Sequence, residues 1–207
     1  VSNAGALTGA GTASLAGNVS LAAASRIGTT NAASSLTLGG TVNGAFALTP
    51  VGAGTVALNG VVGDHLDASG NPLAIRMRLR HEGKALELEP QALAACIGTP
   101  ARHVVVLVHG LCMNDRQWRR KDHDHGAALA RDLGCTALYL HYNSGRRIST
   151  NGREFAALLD ALVAAWPVPL ERLTVVGHSM GGLVARSACH VAQQEGQAWL
   201  RALDSLV

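Results

Sequence analysis

The stretch Gly177-His178-Ser179-Met180-Gly181 fits G-x-S-x-G. That pattern presents a serine hydroxyl on a sharp turn between a strand and a helix. Glycines on either side leave room for a turn too tight for side chains. Leu173-Thr174-Val175-Val176 before it is an apolar, β-branched run, and a helical pattern follows it. A helix starting at the serine aims free backbone N–H groups and its positive end at the hydroxyl. Negative charge that develops there is favoured, as in nucleophilic attack on a carbonyl.

Such a serine needs a sheet beneath it. Val104-Val105-Val106-Leu107-Val108 has no polar face and reads as a central strand covered on both sides, ending in His109-Gly110-Leu111. Thr136 to Tyr142 reads as the next strand, and Leu173–Val176 as the one that carries the serine. Between them, helices are expected from about Asp122 to Leu133, closed by Gly134, and from Ser149 or Thr150 to Trp166. In the second, Phe155, Leu158, Leu159, Leu162 and Val163 recur at helical spacing. A third helix is expected from Ser179 to about Glu195, with Leu183, Val184, Ser187, Ala188 and Val191 on one side. Upstream, Ile75, Met77 and Leu79 alternate with Arg76, Arg78 and Arg80, and Leu86 and Leu88 alternate with Glu87 and Glu89. This predicts a hairpin turning at His81–Lys84, with arginines and glutamates able to pair across it. Residues 90–102, with Pro90 and Pro100, read as a connector, and Ser205-Leu206-Val207 as the start of a further strand. Strands alternating with helices predict an α/β domain with a mostly parallel sheet and helices on both faces. Ligands of such sheets bind beyond the C-terminal ends of the strands, where the Leu111 loop and Ser179 lie.

The 207 residues are uneven in composition. Residues 1–60 hold one charge, Arg26, and one aromatic, Phe46, while all nine histidines lie beyond them. Residues 1–72 therefore read as a low-complexity Ala/Gly/Ser/Thr-rich lead, loosely helical where helical at all, and 73–207 as the globular body. Residues 39–63 carry no charge, but their glycines, Pro50, Asn43 and Asn59 argue against a membrane-spanning helix. A flexible or loosely helical lead is the first reading of such a segment, with surface association or packing as the alternative. A net charge of +3 gives no case for nucleic acid. The four cysteines form no C-x-x-C pair, which favours buried thiols in a reducing compartment such as the cytoplasm.

Val106-Leu107-Val108-His109-Gly110-Leu111 and Val175-Val176-Gly177-His178-Ser179-Met180-Gly181-Gly182-Leu183 together resemble the α/β-hydrolase superfamily. Within it the chain is most similar to lipases and esterases related to the inositol deacylases that act on glycosylphosphatidylinositol. The resemblance covers about residues 73–207. It implies an α/β-hydrolase fold and a serine hydrolase that cleaves carboxylic esters, lipid or acyl esters foremost, through an acyl-enzyme, without a cofactor. Ser179 would be the nucleophile, and the backbone N–H groups of Leu111 and Met180 the oxyanion hole. His109 and Gly110 would hold and turn the loop, while Gly177 and Gly181 would shape the elbow. The partner implied is a small-molecule ester or lipid, with membrane-surface contact as an extension.

The superfamily's triad runs Ser, then Asp or Glu, then His. After Ser179 come only 28 residues, with His190, Glu195 and Asp204 among them. His190 lies about 16 Å along the helix, too far to take the proton, and Asp204 precedes a strand at the wrong end of the sheet. The expectation is a chain incomplete at its C-terminus, with acid and base downstream of Val207 and little activity of its own. The alternatives are a non-catalytic binding protein of this fold, or a related thioesterase or acyltransferase.

Other polar groups read more plainly. His123 and His125, with Asp122 and Asp124, do not share a helix face, so no metal is expected. Asn114 or Asp115 would cap a turn anchored by Trp118. His141 reads as a strand-end histidine near the cleft. Arg146 and Arg147 would be solvated, or meet a phosphate-bearing headgroup.

Overall fold

The structure, a computed structural model, describes residues 7–15, 19–20, 25–31, 33–38, 42–43, 48–51, 55–57, 59–70 and 74–207. The chain divides into two compact units, residues 1–74 and 75–207.

In the first unit the lead differs from the loosely helical expectation. Eight short strands run β1 (Leu7–Gly9), β2 (Thr12–Leu15), β3 (Val19–Ser20), β4 (Ser25–Thr29), β5 (Ser35–Leu38), β6 (Val42–Asn43), β7 (Leu48–Val51) and β8 (Thr55–Ala57). Each pairs in parallel with the strand three places on, giving the ladders β1-β4-β7, β2-β5-β8 and β3-β6. Partners such as Leu7 and Ile27, or Thr12 and Ser35, stand 20 or 23 residues apart. This is the winding of a parallel β-solenoid with three strands per coil. On its strands Ile27 and Leu36 are buried. A single helix, α1 (Asn59–Ala68), follows. Parts of this lead, Phe46 among them, lie outside the described residues. No described helix is long and apolar enough to cross a membrane.

The second unit is built on a six-stranded sheet ordered β10-β9-β14-β11-β15-β16. Its strands are β9 (Arg78–His81), β10 (Lys84–Ala85), β11 (His103–Val108), β14 (Thr136–His141), β15 (Arg172–Gly177) and β16 (Leu203–Leu206). A two-stranded ribbon, β12 (Arg119–Arg120) with β13 (His123–Asp124), stands apart from it. The sheet is parallel from β14 to β16, and β9 joins β14 antiparallel. β11 is central and covered on both faces, as its unbroken apolar run requires. Val104, Val106 and Val108 pack with residues of α4 (Ile148–Ala165) and α5 (Met180–Glu195). Val105 and Leu107 share the other core with Leu129 and Ala130 of α3 (His125–Leu133).

Several boundaries move for local reasons. The hairpin is shorter than its alternation suggested, turning through Glu82 and Gly83 at positive φ. Among the described residues its arginines form no ion pair with Glu87 or Glu89; Arg80 reaches Asp115 instead. The connector contains a helix, α2 (Pro90–Ile97), with Pro90 in its first turn, where a missing N–H costs nothing. Its Leu93 is fully buried. α3 starts three residues later than expected because the Asp124 carboxylate caps it, accepting from the Ala127 N–H at 3.0 Å. Leu183, expected on the buried side of α5, is 53% exposed.

Candidate active site

β11 and β15 lie side by side, yet the helix after β11 (α3) covers one face of the sheet and the helix after β15 (α5) the other. The loop from His109 to Asn114 and the Ser179 turn therefore meet at the C-terminal ends of β11 and β15, the usual ligand position in such sheets.

Ser179 is exposed and has φ 54° and ψ −122°, a conformation costly for any residue with a Cβ. The surroundings impose it. The His178 N–H donates to the Val108 carbonyl at 2.9 Å, while the His178 and Ser179 carbonyls accept from the Gly181 and Gly182 N–H groups. A Cβ on Gly181 would stand 2.3 Å from the Val108 oxygen, and one on Gly177 2.6 Å from the Gly182 Cα. Both glycines are therefore required by close backbone approach. On the facing loop, a Cβ on Gly110 would lie 3.2 Å from the Ser179 Cβ and from the His178 Nδ1. The loop thus rests directly on the elbow.

Two candidate donors flank the serine. The Met180 N–H opens α5 and has no partner within the helix. The Leu111 N–H has no hydrogen bond among the described residues, and its neighbours are tied. Cys112, at φ 57°, donates its N–H to the Ser144 Oγ at 3.2 Å, and the Met113 N–H donates to the Gly110 carbonyl. His109 is buried, stacked on Tyr142 with ring centroids 4.3 Å apart, and its Nδ1 bonds the Gly110 carbonyl at 3.0 Å. Burial pushes its pKa down to about 4, so the ring is neutral. The Tyr142 hydroxyl donates to the His109 carbonyl at 2.7 Å. The loop is held at several points.

The other sequence candidates fall elsewhere. His178 meets Trp118 in a T-shaped ring contact, with centroids 6.4 Å apart. His190 is an exposed residue well along α5. Asp204 lies near His103, at the start of β11, so it is at the opposite end of the sheet from Ser179. Among the described residues no histidine is hydrogen-bonded to Ser179, and no group of three or more metal-ligating side chains occurs. His123 and His125 instead meet edge to face. Arg146 pairs with Glu154. Asn114 caps the single 3-10 turn Asp115–Trp118, exchanging bonds with Gln117. Asp115 does something the sequence did not suggest: its buried carboxylate accepts from Arg80 and His141. No local pattern links those three positions, so only the assembled sheet could reveal them.

Beside Ser179 lies an open hollow of about 320 Å³, lined by Gly177, Gly182, Leu183, Arg186, Leu206 and Val207. Its walls are mostly apolar, with one guanidinium.

Comparison with known proteins places this geometry. Residues 99–199 match the family model described as PGAP1-like alpha/beta domain. Among solved structures, the mature form of the Bacillus licheniformis lipase BlEst2 is similar, at 19% identity and a TM-score of 0.42. That alignment covers 63% of this chain and 44% of the lipase, so the chain spans less than half of that protein's length. No curated protein matches. The mixed sheet, with helices on both faces and the elbow after β15, fits an α/β-hydrolase fold, and residues 99–199 within it are similar to the PGAP1-like alpha/beta domain.

Proposed function

We propose that the protein is a serine hydrolase that cleaves carboxylic esters, with lipid or acyl esters as substrates. The Ser179 Oγ attacks the ester carbonyl while a histidine takes its proton. The N–H groups of Leu111 and Met180 receive the oxyanion of the tetrahedral intermediate. Collapse expels the alcohol and leaves an acyl-enzyme, which water then hydrolyses. The reading requires a histidine, backed by a carboxylate, to reach Ser179 in the working enzyme. Because none of the described residues fills that place, the 207-residue polypeptide alone is expected to turn over esters slowly.

The observation that carries the proposal is the strained backbone of Ser179, enforced by glycines 177 and 181 and by the Gly110 loop. A binding protein has no use for such strain, and it persists only where the surroundings over-determine it. The PGAP1-like family match supports ester hydrolysis in general.

Labelling with a fluorophosphonate probe tests the nucleophile. The active protein should label, and Ser179→Ala should lose both labelling and hydrolysis of p-nitrophenyl esters, by about 10⁴-fold or more. Labelling or hydrolysis that survives the substitution would mean another residue attacks. A series of acyl chain lengths tests the substrate class, with kcat/KM expected to rise from acetyl to octanoyl. A flat or falling series would remove the lipid reading.

A further inference from the structure

Leu111 lies in the segment 109–114, which belongs to no helix or strand. An oxyanion donor on a loop is useful only if that loop is fixed to within about half an ångström. Its upstream half is fixed by Gly110 against the elbow and by Ser144 on Cys112. The downstream end runs into the 3-10 turn whose first residue is Asp115. The Asp115 side chain is 5% exposed and uses both oxygens. Oδ2 accepts from Arg80 Nη1 at 3.0 Å, and Oδ1 accepts from His141 Nδ1 at 2.8 Å. Arg80 belongs to β9 and His141 ends β14, so the grip comes from two adjacent strands. An ionised carboxylate only accepts, so His141 must carry its proton on Nδ1.

We propose that Asp115 is the positioning residue of the oxyanion loop: held by Arg80 and His141, it anchors the loop's downstream end and aims the Leu111 N–H. The proposal rests on the reading of Ser179 as nucleophile. Stability alone would be served as well by an apolar residue, since a buried ion pair adds little net energy. What the pair adds is direction. Two charge-assisted hydrogen bonds at right length permit one orientation of the turn and exclude its neighbours. His141 does not itself reach the serine. β11 separates its strand from β15, a lateral distance of roughly 10 Å at ordinary strand spacing.

Hydrogen exchange of the 207-residue chain tests the anchor without any need for turnover. Asp115→Asn and His141→Leu each remove a charge-assisted bond and leave the volume nearly unchanged. Both should raise exchange at residues 109–114 by about tenfold, while β11 and α5 exchange as in the wild type. An unchanged loop, or an equal rise across β11 and α5, would overturn the proposal. In protein that labels with the fluorophosphonate, the same variants should lower kcat about 10- to 100-fold, with KM within about twofold of wild type. A raised KM at unchanged kcat would also overturn it. So would His141→Leu that abolishes labelling as fully as Ser179→Ala, because His141 would then be the base. If the wild type neither labels nor hydrolyses any ester, the nucleophile reading fails, and the exchange result still decides whether Asp115 anchors the loop.

Discussion

Ser179 holds a backbone conformation that glycine would adopt freely. Strain of this kind costs about 1–3 kcal/mol, of which the greater entropy of an unfolded glycine would return part. Ser179→Gly is therefore expected to stabilise the domain by about 1 kcal/mol while removing the hydroxyl on which the proposed chemistry depends. Urea denaturation of the two proteins checks the first expectation, and a destabilised variant would mean that the elbow is relaxed. The serine itself was legible in the sequence, because its neighbours are as constrained as it is. The other residues of the site were legible only in part. Leu111 could be named because it follows a strand that can be read from its own residues. Asp115 could not, because its partners Arg80 and His141 are 35 and 26 residues away in the chain. Nothing local marks a carboxylate that will be buried, as distinct from one that caps a turn.

The elements differ in how far they announce themselves. β11 and β15 are runs of β-branched residues buried on both faces, and α4 shows one apolar stripe, so burial repeats at a period that can be counted. α2 does not, since Pro90 is a helix breaker at most positions and a helix former at the first turn. The solenoid coils hide for a different reason. Their repeat is one of ladder position, not of residue identity, and small residues serve at nearly every place. At the junction of elements, α5 approaches β11 so closely that Gly181 can carry nothing. Gly181→Ala sets a methyl 2.3 Å from the Val108 oxygen, and the backbone must move. A loss of about 3 kcal/mol is expected. Its neighbour is the control: a Cβ on Gly182 meets only the Gly177 oxygen, at 3.7 Å, and alanine gains helix propensity there. Gly182→Ala should match the wild type or exceed it by up to about 1 kcal/mol. Chemical denaturation of the two variants distinguishes them, and equal losses would show that the approach is looser than the structure has it.

For the molecule as a whole, two buried groups set the response to acid. His109 is neutral with a pKa near 4, chiefly through burial, against an ordinary value of 6.5. Between those values the unfolded chain holds a proton that the folded one refuses, so stability falls as pH drops from 6.5 to 4. The full loss is about 3 kcal/mol at most. For the Asp115 carboxyl, burial works in the opposite direction, but bonds from His141 and Arg80 hold it at about 2. Its contribution is present above the unfolded value of about 3.9 and disappears as pH falls from there toward 2. The windows do not overlap. Unfolding free energies at pH 7.5 and 4.5 should therefore differ in the wild type and differ less in His109→Gln, where His103, also lowered by burial, still acts. An equally steep change in the variant would place the proton elsewhere.

By itself, the sequence determined the strands of the central sheet, the helices that cover it, the elbow and the glycines around it. These depend on residues close in the chain, through periodicity, β-branching and the space that only glycine leaves. The tertiary structure alone decided three things. It wound the charge-poor lead into parallel coils, because pairing 20 or 23 residues apart satisfies a backbone that local propensity leaves undecided. It placed the Gly110 loop against Ser179, because parallel neighbours end side by side whatever separates them in sequence. It also set an aspartate between an arginine and a histidine from two different strands, because a buried charge must find partners and only the fold brings them within 3.0 Å.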